Sequence, residues 1–283
     1  MAKRTVVTFL WVVLISTLAT AQTAKYSLTP GTTYIVDSSL KQVISQIIMG
    51  SANEMTNTTS TKEKLVVESE SNGIFTLSIT NLYQRAEIVT PMGTQIVDSE
   101  DESSEGGLFP AIVNTSYTFT MDEYGKIMGI DGLEALIESV STSLGNNPEL
   151  NTQVAAIFDE ETIRSNLENR FTIYPLEDKT AWSVDKERTL NNLPFKISTD
   201  YTLAGNTLQT EGTLTVSGSI QQMGMQVKME MSGTQTGKYE LFADSGMPSN
   251  IVSSSDISGT ANAQGMDIPM TIGVETTTNI TKQ

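Results

Sequence analysis

The 283-residue chain contains no cysteine and no histidine. Lacking cysteine, it forms no disulfides and offers no thiolate nucleophile. Lacking histidine, it has no imidazole general base and cannot assemble the common zinc or haem ligand sets. Positive charge is scarce: 17 Lys and Arg stand against 33 Asp and Glu, a formal charge of -16. So acidic a chain repels phosphate backbones and anionic membrane surfaces, which argues against nucleic acid as a partner. No cofactor is expected, and the chain is read as non-enzymatic.

Long apolar runs are missing too, except at the start. Lys3 and Arg4 precede an apolar stretch from Val6 to Leu18, which ends at Ala19-Thr20-Ala21. A positive start, a short apolar core and a small-x-small site predict a signal peptide over residues 1–21, cleaved before Gln22. The stretch falls short of the roughly 20 residues that a membrane span needs. No Cys follows the cleavage site, so lipidation is excluded, and export to the periplasm or beyond the cell is expected. Cleavage removes two positive charges and leaves -18. Residues 22–283 are enough for one domain held by its own core.

What the chain does have is alternation. "FKISTDYTL" sets Phe195, Ile197, Thr199, Tyr201 and Leu203 on one face and polar residues on the other, then turns at Gly205-Asn206 into "TLQTEGTLTV". Period 2 broken by turn residues predicts antiparallel hairpins with one face in water. "IFTLSIT", "YTFTM", "VKMEMSG" and "MDIPMTIGV" repeat the pattern. Only "SLKQVISQIIMG" is ambiguous. Leu40, Val43, Ile44, Ile47 and Ile48 have helical spacing, but the β-branched content favours a strand with a bulge.

The middle of the chain changes period. Leu133, Leu136, Ile137, Val140 and Leu144 fall on one helical face, with Asp131 as candidate cap and Gly145 as stop. "PELNTQVAAIF" and "DEETIRSNLENRF" predict two more helices, the second capped by Asp159. The expected fold is therefore β-rich α+β: a curved antiparallel sheet, a half-barrel-like meander, with two or three helices inserted midway at about 131–171.

Candidate sites are few. Asp98, Glu100, Asp101, Glu102 and Glu105 crowd one stretch, but counting from Asp98 fails the calcium-loop pattern at Ser103 and Phe109. A solvated loop is the expectation, with no metal site. "GTQTGKY" is one residue short of a phosphate loop and lacks its Ser or Thr. "Ser38-Ser39-Leu40-Lys41" fits S-x-x-K without the companion motifs of an acylating serine. Trp182, the only Trp beyond the signal segment, reads as a core anchor or a carbohydrate-stacking face. The methionines hold more promise. Met223, Met225, Met229 and Met231 share one parity, and Met266 and Met270 share a face of another strand. Thioethers so placed can be plain core, soft copper ligands, or the adaptable lining of an apolar groove. A groove would set Met225, Met229, Met231, Met266 and Met270 beneath the helical stripe of Leu133, Leu136, Ile137 and Val140.

"LTPGTTYIVDSSLKQVISQIIMG", "ESNGIFTLSITNLYQRAEIVTPMGTQIVDSED", "DEYGKIMGIDGLEALI", "RFTIYPLEDKTAWSV" and "GMDIPMTIGVETTT" together resemble an uncharacterised bacterial family of exported proteins, domain of unknown function 6263. The likeness covers nearly the whole chain after the signal segment and brings no catalytic residues with it. The expected architecture is also similar to the half-barrel of periplasmic lipoprotein-localisation factors and related lipid carriers. These readings make an apolar or amphipathic, lipid-like ligand the expected partner. A structural or protein- and glycan-binding role in the cell envelope is the alternative.

Overall fold

The computed structural model describes residues 24–283 except 49, 102–106, 146, 178, 191–192, 223–224 and 264; at 48, 188–190, 221–222 and 225 it describes the backbone alone. The expected signal peptide at 1–21 and Met223 therefore lie outside the described residues, as does the side chain of Met225.

Two meanders make one sheet. The first runs through β1 (Thr33–Ile48), β2 (Ser51–Ser71), β3 (Ile74–Thr90), β5 (Ser116–Asp122) and β6 (Ile127–Asp131), with β4 (Gly93–Asp98) also paired to β3. The second runs through β7 (Ala181–Leu190), β8 (Leu193–Ala204), β9 (Thr207–Gln222), β10 (Met225–Leu241), β11 (Pro248–Ala263) and β12 (Met266–Lys282). All pairings are antiparallel, and β1 lies against β12, so the order is β6-β5-β3-β2-β1-β12-β11-β10-β9-β8-β7. The sheet does not close on itself. Strand alternation thus becomes a curved open sheet with a concave and a convex face, as the sequence pattern predicts.

Segment 33–48 is a strand throughout, paired with both β2 and β12. The expected bulge is absent there, because both ladders run without a register shift. Irregularities fall instead in β2, between Lys62 and Glu63 and between Val67 and Ser69, in β5 between Thr120 and Met121, and in β10 between Glu240 and Leu241. Curvature has a second source in the second meander. A Cβ at Gly212, Gly233 or Gly259 would sit 2.4, 2.2 or 2.1 Å from a carbonyl oxygen of the adjacent strand. Only glycine permits so close an approach of neighbouring backbones.

Between the meanders stand α2 (Leu133–Ser143), α3 (Pro148–Ile157) and α4 (Glu160–Phe171), while a short α1 (Leu108–Ile112) precedes β5. Asp159 caps α4 by accepting from the Thr162 amide, and Asn147 caps α3 ahead of Pro148. Asp131 does not cap α2. It ends β6, and Gly132 takes the cap position with φ +90° and no side-chain bond. Gly145 follows the C-terminus of α2 in the left-handed region (φ +65°), where a helix stop is expected.

The helices cover one end of the concave face. Cross-strand rows such as Val67–Leu77–Phe119 and Leu203–Leu208–Tyr239 meet Leu136, Val140, Leu167 and Phe171 in one core. The segment before β1 seals this end. The Tyr26 amide donates to the Glu123 carbonyl at 2.7 Å and the Ser27 amide to the Ser245 carbonyl at 2.9 Å, so a single extended piece joins the two meanders. The Tyr26 hydroxyl donates to the Phe171 carbonyl at 3.0 Å. Removing a fully buried phenol from water pushes its pKa well above the ordinary value, so it stays a neutral donor.

Candidate functional site: an apolar trough at the open end

The same strands continue past the helices, and their chemistry changes twice. Next to the helical core lies a polar belt. The Ser38 and Thr278 hydroxyls are 3.0 Å apart, and Gln235 donates its amide to Thr199 at 2.7 Å. A hollow of 180 Å³ sits here among Thr199, Tyr201, Thr210, Gln235 and Ser253. Gln235 and Thr199 in its lining are bonded to each other, and its volume is below the ~300 Å³ at which ligand sites begin. Burial pushes the Tyr239 hydroxyl beside it up to about 12, so it stays protonated near neutral pH and is no base.

Beyond the belt a second, smaller core forms from Leu193, Leu214, Val216 and Met231, with Phe195, Ile257 and Ile272 against it. Past this core, toward the free ends of the β1–β2, β9–β10 and β11–β12 hairpins, lies a trough of 610 Å³. One wall is apolar: Ile220 of β9, Val227 and Met229 of β10, Ala261 of β11, and Ile268 and Met270 of β12. The facing wall comes from the other meander. It mixes Ile44, Met55 and Pro91 with the polar Gln46, Asn53 and Thr90. Six strand-to-strand steps separate β3 from β9 in the sheet order. In a flat sheet those steps span roughly 29 Å, so curling is what lets one hollow touch both.

Alternation explains why these side chains meet. Met229 faces Ala261 across β10–β11, Gly259 faces Met270 across β11–β12, and Ile44 faces Ile272 across β1–β12. They all share the concave parity. Small residues at 259, 261 and 263 keep the floor low, so the hollow is not filled by its own lining.

The structure separates the two sets expected to share a groove. Leu133, Leu136, Ile137 and Val140 belong to the helical core. Met229 and Met270 line the trough at the other end, and Met231 is buried in the second core at 5% exposure. Met266, at 43% exposure, is only partly sheltered. The expectation that the methionine faces lie under the helices is therefore corrected. Period 2 fixes which face a side chain takes, but not which third of a long strand the helices cover. Sequence reading also missed Ala261, Ala263 and Ile268 as lining residues. The run of small residues in "SGTANA" opposite "MDIPM" is the signal that marks them.

The other sequence candidates have plain structural roles. Asp98 accepts from the Tyr83 hydroxyl at 3.0 Å and from the Glu100 amide at 3.0 Å, which ties β4 to β3. Glu102 and Glu105 lie outside the described residues. Among the described residues no three Asp or Glu side chains converge. Trp182 stacks on Tyr201 with ring centroids 5.2 Å apart and planes 4° apart, packed against the helical core. One ring face is thereby occupied by the protein itself. No helix among the described residues is long and apolar enough to cross a membrane.

Fold and site together define a class: an open, curled antiparallel sheet with helices over one end of its concave face and an apolar trough at the other. A profile of the family of unknown function DUF6263 matches residues 72–248. More than half of the chain is covered, and the chain belongs to that family. No curated protein matches it. Among solved structures, an outer membrane channel from Pseudomonas putida F1 aligns over 90% of this chain and 97% of its own, at 8% identity and a TM-score of 0.27. The β domain of the Bordetella autotransporter BrkA aligns over 89% and 99%, at 12% identity and 0.27. A putative outer membrane lipoprotein-sorting protein domain from Vibrio parahaemolyticus aligns over 87% and 85%, at 9% identity and 0.14. Scores this low show no shared fold, and no function is transferred from these structures.

Proposed function

We propose that this protein is an exported, non-enzymatic carrier or binding module for an apolar or amphipathic, lipid-like ligand. One observation carries the reading: the 610 Å³ trough, with an almost wholly apolar wall, that no element among the described residues covers. Its volume falls within the roughly 300–1,000 Å³ of small-molecule sites. An apolar hollow of about 150 Å³ takes up benzene, so this one has room for a chain of a dozen or more carbons. Unbranched thioethers at Met229 and Met270 adapt to varied ligand shapes at little cost. Export rests on the signal-like residues 1–21.

The test uses an uncharged fluorophore, N-phenyl-1-naphthylamine, titrated into the protein lacking residues 1–21. Saturable fluorescence enhancement is expected. It should be lost in Ala263→Phe, which fills the trough from a half-exposed position, while the far-UV circular dichroism is retained. Enhancement that is absent, or unaffected by Ala263→Phe, overturns the reading. A second reading has its own observation. Met92, 97% exposed at the β3–β4 turn, and Ile96, 54% exposed, give the neighbouring hairpin an apolar tip suited to a protein partner in the envelope. Absence of probe binding, together with partner capture lost in Met92→Asp, would establish that role instead.

A further inference from the structure

The 180 Å³ hollow of the polar belt is too small for a lipid-like or drug-sized ligand. It is ample for a small ion, since it has the volume of roughly six waters at about 30 Å³ each. Its walls are concave-parity residues of β7 to β11. Val184 faces Thr199, Tyr201 faces Thr210, Gln235 faces Ser255, and Gly237 faces both Thr210 and Ser253. Gly237 opens a gap between the last two. A Cβ there would fall 2.5 Å from the Thr210 Oγ1 and 3.7 Å from the Ser253 Cβ, so both side chains border the same space. Thr199 already accepts from Gln235. Thr210 differs: it is only 8% exposed, and its hydroxyl bonds to no group among the described residues. The Ser253 and Ser255 hydroxyls likewise have no partner among the described residues.

Charge is the second observation. Lys186 of β7 is the one charged side chain in the described lining, and no Asp or Glu joins it, in a chain that carries 33 of them. The acids next to Lys186 face the other way. Asp185 lies opposite Ser198, and Glu187 lies opposite Lys196, with which it pairs at 2.9 Å. The net negative charge repels anions at a distance, but salt screens it beyond about 8 Å, so the lining decides what is held. An ammonium and several hydroxyl donors, with no competing carboxylate, are the complement of an oxyanion. We infer that this hollow is a second binding site, for a small oxyanion of sulfate or phosphate size, held by Lys186 and the hydroxyls of Thr210 and Ser253. The rows Ile197–Leu214 and Phe195–Val216–Met231 lie between it and the trough. The ion is therefore a ligand in its own right, not the head of a molecule bound in the trough.

Trp182 is a built-in reporter. Removing residues 1–21 leaves it the only Trp, and it stacks on Tyr201, which lines the hollow. Sodium sulfate and sodium phosphate are titrated into that protein at pH 7.5, with sodium chloride at equal ionic strength and glycerol as controls. A saturable change in Trp182 emission is expected with sulfate or phosphate and with neither control, and calorimetry should return the same affinity. Lys186→Met should weaken binding roughly tenfold, the loss of one charge-assisted hydrogen bond. Thr210→Val, which removes a hydroxyl at nearly constant volume, should weaken it about three- to fivefold. Both variants should keep the far-UV circular dichroism of the unmutated protein. A response to glycerol but to neither oxyanion assigns the hollow to neutral polyols. An equal response to chloride marks a general salt effect, and no response to any solute leaves a pocket of water. Oxyanion binding that survives both substitutions places the ion elsewhere. Each of these four results overturns the inference, and none of them bears on the trough.

Discussion

The two ends of the concave face are built from the same strands and come out differently. On β10, Leu241 is buried in the helical core while Met229 lines the trough; on β12, Ile280 and Met270 make the same contrast. Strand chemistry does not distinguish them, since both ends carry apolar side chains of one parity. Cover does. The helices and the segment around Tyr26 fill one end, and among the described residues nothing covers the hairpins that run past them at the other. Stability and binding capacity are thereby assigned to separate places along one set of strands.

The sharpest way to break this comparison is at the helical end. Phe171 is fully buried, meets Phe119 at 5.3 Å between ring centroids, and lends its carbonyl to Tyr26. Phe171→Ala should cost about 3–5 kcal/mol by denaturant titration. Gly125→Ala is expected in the same range, because φ is +83° there and the new Cβ would fall 1.9 Å from the Phe171 carbonyl oxygen. A loss below about 1 kcal/mol in either variant would mean the helices are not what holds the sheet. Next comes Arg170, which reaches from α4 to Glu63 of β2 at 2.6 Å, with both side chains about a quarter exposed. Arg170→Met leaves Glu63 beside the half-buried Tyr117 without its cation, and a loss of roughly 1–2 kcal/mol is expected.

At the open end the signs reverse. Met229→Ala should change stability by no more than about 1 kcal/mol, because the side chain is only partly buried, yet weaken the naphthylamine probe several-fold. A stability loss of 2–5 kcal/mol with unchanged probe binding would show a packed core there instead. The smallest effect is the clasp between Lys282 and Asp244 at 2.5 Å. The hydrogen bond from Lys282 holds the Asp244 carboxyl below its ordinary pKa. Its contribution is therefore present above the unfolded carboxylate pKa and fades as pH falls through the depressed value. Lys282→Met should slightly reduce the acid dependence of melting and change nothing at the trough.

Much of this fold could be read in advance. Alternation in "FKISTDYTL" and "MDIPMTIGV" became β8 and β12, and the period change after Gly132 became α2. Asp159 capped its helix because a carboxylate at that position satisfies amides the helix leaves open. Other features rest on contacts far away in the chain. Val43, Ile44 and Ile47 mimic helical spacing, and the segment is extended because β2 and β12 supply partners on both sides. The five residues of α1 are too few to leave a periodic signal. The trough was half legible. Met229 and Met270 were recognised as a shared apolar face, but their separation from Leu136 and Val140 depends on how far three helices reach along strands of 17 residues.

The pairing of β1 with β12 also governs how the molecule can assemble. Each meander can zip from its own hairpins, but the join between them needs the first strand and the last, more than 200 residues apart. Made from its N-terminus, the chain presents the edge of β1 that β12 later takes unpaired until β12 is made. An open edge is a template for pairing with other chains, and closing so large a loop is slow. The outward-facing side chains of β1 include Asp37 and Lys41, whose charges make stray pairing less favourable during that wait.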